Sequence, residues 1–154
     1  MIINATLCFI KKNNKVLLQK KAKGLYGEHK YNAPGGKLKP NESPESGVAR
    51  EVKEETGLSI SNLTKHGQVA YYENNPHSPA WVVHVFSTNN FSGEIITNNR
   101  EGILEWIHQD NMPYDKMWAN DKDWISLLLQ NKKFKAEFHF DEKEQLIKKE
   151  INIV

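Results

Sequence analysis

Residues Gly36 to Leu58, GKLKPNESPESGVAREVKEETGL, admit few folds, because the start and stop signals of one helix stand at both ends of a short stretch. Ser43 is placed to cap the first turn, Pro44 takes the first helical position and Glu45 suits the positive dipole end. Gly57 suits the left-handed residue that ends a helix, so a helix is predicted over 44 to 56. Upstream, in Pro34-Gly35-Gly36, the proline fixes one φ and the glycines free two. Such a loop either turns tightly or brings bare backbone close to a phosphate or metal.

On this helix Ala49, Val52 and Thr56 are expected to face the core, while Glu51, Glu54 and Glu55 share a neighbouring face at i, i+3 and i+4. Like charges at that spacing cost about 0.2–0.5 kcal/mol per pair. A solvated face would intersperse lysines, so the cluster points to a cation with oxygen ligands, the plain alternative being a structural acidic helix. Arg50, four residues before Glu54, is placed to orient that carboxylate.

The rest of the composition narrows the setting. The chain has 154 residues, 38% hydrophobic and 26% charged, which fits one globular domain over 1–154. No apolar run approaches the roughly 18 residues of a membrane span. MIINATLCFI has no basic leader segment and reads as a strand, so a cytoplasmic protein is expected. Its single cysteine, Cys8, is read as a buried thiol. A net charge of +2 argues against long nucleic acid but leaves a small anionic substrate open. Lys132, Lys133, Lys135, Lys148 and Lys149 read as solvated strand positions.

Along the chain, residues 3 to 10 and 15 to 21 form two apolar-rich runs around Asn13-Asn14, a β-hairpin signal. Residues 22 to 30 are a loop leading to a short strand or bend at Tyr31 and Asn32. Strands are predicted at 68 to 72, at 80 to 88 as a central strand with both faces apolar, and at 103 to 107. Loops take 73 to 79 and 89 to 101. His84 is read as a satisfied core histidine, and the histidines have no zinc spacing.

Residues 112 to 121, MPYDKMWAND, combine Tyr114, Met117 and Trp118 with Asn120 and Asp121. They offer an aromatic platform with edge-directed hydrogen bonds, or else core aromatics with Asn120 or Asp121 as a helix cap. A helix is predicted over 122 to 130 with Trp124, Leu127 and Leu128 inward. Phe134, Ala136, Phe138 and Phe140 then alternate with polar residues as a half-buried strand, and a hairpin leads to a last strand at 146 to 153.

The spacing from Gly36 through Glu42 and Arg50 to REVKEETGL resembles the Nudix (MutT-type) hydrolase signature Gx5Ex7REUxEExGU, where U is aliphatic, at every defined position. The resemblance extends over nearly the whole chain to the branch acting on oxidised purine nucleoside triphosphates such as 8-oxo-dGTP. It implies an α/β fold, an α/β/α sandwich with a central mixed sheet and the Nudix loop-helix-loop. It implies Mg²⁺ or Mn²⁺ held by Glu51, Glu54, Glu55, the Gly36 carbonyl and Glu101, with Glu55 or Glu54 taking a proton from water, Glu51 and Arg50 completing the catalytic set. For the substrate it implies Asn32, Trp118, Asn120 and Asp121 at the base, Lys37 at a phosphate, and Tyr26 and Trp81 beside them. Where that branch usually carries two adjacent aspartates this chain has Asn120-Asp121, which implies a narrower or shifted base range, since an amide cannot exchange a proton as paired carboxylates do. The implied products are a nucleoside monophosphate and pyrophosphate, made by a monomer acting on a small nucleotide for nucleotide-pool sanitation and DNA repair. Within the family the alternatives are a dinucleoside polyphosphate, ADP-ribose or a capped RNA end, and outside catalysis a silent nucleotide-binding sensor.

Overall fold

In the computed structural model, residues 1–96 and 100–154 are described. Among the described residues, ten strands and two α-helices follow one another: β1 Ile3–Lys12, β2 Lys15–Lys21, β3 Tyr31–Asn32, α1 Pro44–Thr56, β4 Ser59–Ser61, β5 Thr64–Glu73, β6 Trp81–Thr88, β7 Asn90–Ser92, β8 Gly102–His108, α2 Asp121–Leu129, β9 Phe134–Phe140 and β10 Leu146–Ile153. Eight of the strands form a mixed sheet in the order β10-β9-β5-β6-β1-β2-β3, with β8 also on β2. The β1–β6 and β5–β9 pairs are parallel and the others antiparallel. Asn13 and Asn14, at φ 50° and 64°, turn β1 into β2, as their tolerance of left-handed backbone predicts.

The period-two alternation of β1 and β2 sends side chains to two cores. Phe9, Val16 and Leu18 meet Trp124, Ile125 and Leu128 of α2. Cys8, Ile10 and Leu17 meet Val48 and Val52 of α1. One helix on each face makes the expected α/β/α sandwich. Burial pushes the Cys8 thiol up to about 12, so it stays protonated and packs as a small hydrophobe.

Several local expectations are shifted. Val48, not Ala49, is buried on α1, and Ile125 rather than Leu127 is fully buried on α2. On α1 the buried position carries the larger side chain, whose burial removes more apolar area; on α2 Ile125 and Leu127 are equal in size, and Leu127 packs partly buried against the same core. The satisfied core histidine is His66, whose Nδ1 lies 2.8 Å from the Lys132 carbonyl and Nε2 2.6 Å from Ser87 Oγ. His84 is half-buried, with Nε2 3.2 Å from Asn4 Oδ1 and Nδ1 unpaired. The expected loop of residues 89 to 101 contains β7, which pairs with β4, and its residues 97–99 lie outside the described residues. No helix among the described residues is long and apolar enough to cross a membrane.

Candidate active site

The glycine loop is positioned by β1. β2 pairs with β1 only through Lys11 and Lys12, which leaves the earlier part of that strand edge open. Residues 34 to 38 fill it: Cys8 N–H donates to the Pro34 carbonyl at 2.8 Å, Thr6 N–H to Gly36 at 2.9 Å, and Leu38 N–H to Asn4 at 2.9 Å. The approach is close enough that a Cβ on Gly35 would sit 2.0 Å from the Thr6 carbonyl, and one on Gly36 2.6 Å from the Glu51 carboxyl carbon. Gly35, at φ 156° against backbone, therefore needs glycine, while a side chain at Gly36 would displace the Glu51 carboxylate.

Next to this loop, α1 is fixed at its start by Ser43, whose Oγ accepts from Ser46 N–H at 3.2 Å, a cap contributing about 1 kcal/mol. Gly57 ends it at φ 83°. The acidic face this presents is organised by Arg50. Its Nε and Nη2 grip Glu42 at 2.7 and 2.8 Å, and Nη1 donates to Glu51 at 2.9 Å and reaches Glu54 at 3.3 Å. The expected Arg50–Glu54 pair thus exists, but the forked bond goes to Glu42, a partner eight residues away. Arg50 and the Lys39 N–H hold the Glu42 carboxyl down to about 2. Arg50 Nη2 also donates to the Lys37 carbonyl at 3.3 Å, tying the helix to the glycine loop.

Glu55 faces the same loop, accepting from Gly35 N–H at 3.1 Å. Burial pushes its carboxyl up to about 7; the Gly35 N–H and Lys21 counter this, and the charges of Glu51 and Glu101 add to it. Glu101 itself accepts from Lys21 Nζ at 3.4 Å. The charges of Glu51 and Glu101 therefore both act on Glu55, although among the described residues no three acidic, histidine or cysteine side chains close into a metal cage. An open set of mutually repelling carboxylates, one of them disfavoured as an anion by burial, fits a hard divalent cation. The Gly36 carbonyl fits that set less well than expected. It accepts from both Thr6 N–H and Thr6 Oγ1, at 2.9 and 3.2 Å, because the loop hydrogen-bonds to β1.

A second group of residues assembles around Trp118, which is 36% exposed. Tyr26 stacks on it at 5.2 Å and 28°, and Lys30 Nζ lies 5.1 Å from its ring centre. A Cβ on Gly27 would touch the ring at 3.1 Å, so the loop before β3 wraps the indole closely. Asp121 begins α2 beneath it and is buried. That burial pushes its carboxyl up to about 7, while Trp118 backbone, Trp124 and Lys30 pull it down. Asn120 occupies the cap position but makes no side-chain cap bond, so its amide is not used by the helix.

Lys37 Nζ sits 5.4 Å from the Trp81 ring centre, and Trp81 pairs in register with Tyr71 of β5. Asn32 pairs with Gln19 on β2, and its Oδ1 accepts from Ala33 N–H at 2.9 Å, turned back on its own chain. The sequence reading did not single out Lys30, Tyr71 or the clamp on Glu42. The signature position of Glu42 marked only the last of these, since the others depend on contacts between distant segments.

The NUDIX domain model matches residues 1–128. The chain is 34% identical over 143 residues to the oxidized purine nucleoside triphosphate hydrolase of Mus musculus, covering 92% of this chain and 89% of that protein. It is 32% identical over 149 residues to the protein of the same name from Danio rerio, covering 97% and 94%. Among solved structures, a mutator MutT protein from Bacillus halodurans superposes with a TM-score of 0.84 at 26% identity, covering 97% of each chain. With the signature helix, its glycine loop and the matching sheet all in place, the chain belongs to the Nudix hydrolase family.

Proposed function

We propose that this Nudix hydrolase cleaves oxidised purine nucleoside triphosphates, such as 8-oxo-dGTP, to the nucleoside monophosphate and pyrophosphate. The observation that carries the reading is the exposed Trp118 face with a buried carboxyl, Asp121, and an uncommitted amide, Asn120, beside it. It is supported by likeness to the mouse and zebrafish proteins over nearly the whole chain.

In this reading Glu51, Glu54 and Glu55, with Glu101, hold divalent cations, as Nudix hydrolases generally need, and Mg²⁺ or Mn²⁺ suits such oxygen donors. The Gly36 carbonyl joins them only by giving up its Thr6 hydroxyl bond. Bound there, the cations neutralise the diphosphate and acidify water. Arg50 keeps Glu51 and Glu54 oriented through its clamp on Glu42. Glu55 or Glu54 takes the proton of the attacking water. Lys37 leaves the Trp81 face to meet a phosphate, Tyr26 and Trp118 stack on the base, and Asn32, Asn120 and Asp121 bond its edge. The fixed amide of Asn120 narrows the range of bases.

The chain acts as a single domain over 1–154, a monomer in the cytoplasm, in nucleotide-pool sanitation; sedimentation at working concentration tests the monomer. A panel of nucleotides assayed with Mg²⁺ tests the substrate. Oxidised purine dNTPs are expected to be the best substrates. Much faster cleavage of ADP-ribose, a capped RNA end or a dinucleoside polyphosphate overturns the reading.

A further inference from the structure

Gln19 is 2% exposed, yet its side-chain Nε2 is buried and has no hydrogen-bond partner among the described residues. A buried amide N–H without an acceptor is costly, and native interiors rarely keep one. The alternation of β2 fixes the side on which it lies. Val16 and Leu18 enter the core under α2, while Leu17 enters the core under α1 with Val48 and Val52. Successive side chains of a strand alternate faces, so Gln19 and Lys21 share the α1 side with Leu17. Lys21, one step beyond Gln19 on that side, bonds Glu101 at 3.4 Å, and its charge acts on Glu55. Leu17, one step before it, packs with the turn of α1 that precedes Glu55. Across the sheet Gln19 stands opposite Asn32 of β3, shortly before the Gly35 N–H that holds Glu55. Its amide therefore lies on the sheet floor between the apolar core of α1 and the carboxylates.

A carboxylate has about four acceptor sites, so one that holds a cation still accepts from protein donors, and those donors fix its orientation. The Gly35 N–H is one such donor to Glu55. We propose that Gln19 is a positioning residue for the divalent-cation site, its amide N–H donating to Glu55 from the sheet side when that carboxylate turns toward a cation. An amide carries no charge, so it orients the carboxylate without neutralising it, as the Lys21 ammonium would. The inference rests on the cation-binding reading above and adds to it a residue on the sheet, outside the stretch from Gly36 to Leu58.

Mn²⁺ alone is the probe, titrated into the metal-free full chain and followed by the electron paramagnetic resonance signal of the free ion. Wild type, Gln19→Met, Glu55→Gln and the double variant are compared. Methionine keeps the length of glutamine and removes the donor. Gln19→Met is expected to raise the Mn²⁺ Kd by about 10–100-fold, the usual cost of losing the partner of a metal ligand. Its melting temperature in EDTA should stay at or above that of wild type, because an unpaired buried amide has been removed. A merely structural role would do the reverse, lowering the melting temperature and leaving the affinity alone. In the Glu55→Gln background the same substitution should change the Kd by less than about twofold, since the carboxylate through which Gln19 acts is gone. A Gln19→Met Kd within about threefold of wild type, or a loss of equal size in both backgrounds, overturns the proposal. If Glu55→Gln binds Mn²⁺ as tightly as wild type, the cation reading of Glu55 fails and the proposal with it; if Glu55→Gln weakens binding and Gln19→Met does not, the role of Gln19 alone falls. Should Gln19→Met not fold, Gln19→Leu, also without a donor, is judged by the same thresholds.

Discussion

The carboxylate face of α1 and the aromatic group around Trp118 are assembled over different distances along the chain. Glu42, Arg50, Glu51, Glu54 and Glu55 lie within a dozen or so residues on one loop and one helix; Arg50 orients Glu42, Glu51 and Glu54, and the Gly35 N–H orients Glu55. The second group draws on the loop before β3, on β5, on the turn before α2 and on α2 itself. The first needs a capped helix to be correctly spaced, since helical geometry alone sets i, i+3 and i+4 together. The second needs the whole sandwich, because only sheet pairing and both loops bring Tyr26, Lys30, Tyr71, Trp118 and Asp121 to one place. If the first group carries the reaction and the second the choice of substrate, then changes in one should move turnover and changes in the other should move affinity.

The largest effect should come from Glu55→Gln. Turnover is expected to fall by about 10²–10⁴-fold, as when a positioned acid or base is lost. The melting temperature should stay the same or rise, because a neutral amide replaces a carboxyl that burial pushes up to about 7. Wild-type turnover in this variant would remove Glu55 from the reaction. Arg50→Lys comes next. A lysine cannot make the forked bond to Glu42, so activity or metal affinity should drop by about 10–100-fold, the usual cost of losing an orienting partner. A metal titration followed by initial rates checks it.

Trp118→Ala crosses to the other group. Loss of base stacking, about 1–3 kcal/mol, should raise KM by about 5–150-fold while kcat stays near wild type. A fall in kcat at unchanged KM would break the division between the two groups. The smallest effect concerns Asp121→Asn, read as stability against pH. An ordinary aspartate titrates near 3.8 and this one at about 7. Between those values the native state holds a proton that the unfolded chain has lost, so Asp121 makes the native state lose stability as pH rises. The amide lacks this dependence. The melting temperature of Asp121→Asn relative to wild type should climb from about pH 4 to 7 and then level off. A flat difference across that window would show that Asp121 is not desolvated as described.

The same division explains what could be read without coordinates. The caps of α1 and the Asn13-Asn14 hairpin rest on short-range rules of backbone preference, the sandwich class rests on the resemblance to the Nudix signature, and each appears as expected. The choice of Val48 over Ala49 and Ile125 over Leu127 does not, because which side of each helix meets the sheet is set by tertiary packing. Arg50 had several carboxylates in range along the chain, and only the path of the loop through residues 36 to 42 gave Glu42 the forked bond. The Gly36 carbonyl looked available until β1 claimed it through Thr6.

By itself, the stretch from Gly36 to Leu58 determined the helix, its acidic face and the resemblance to the Nudix signature, since all three depend on spacing along one continuous backbone. The tertiary structure decided which groups surround Trp118, that Asp121 is buried, and that Tyr71 and the Trp124 indole N–H lie with it. Those facts come from segments in opposite halves of the chain brought together by the fold, and no local rule of periodicity or capping encodes which distant partner a buried polar group will find.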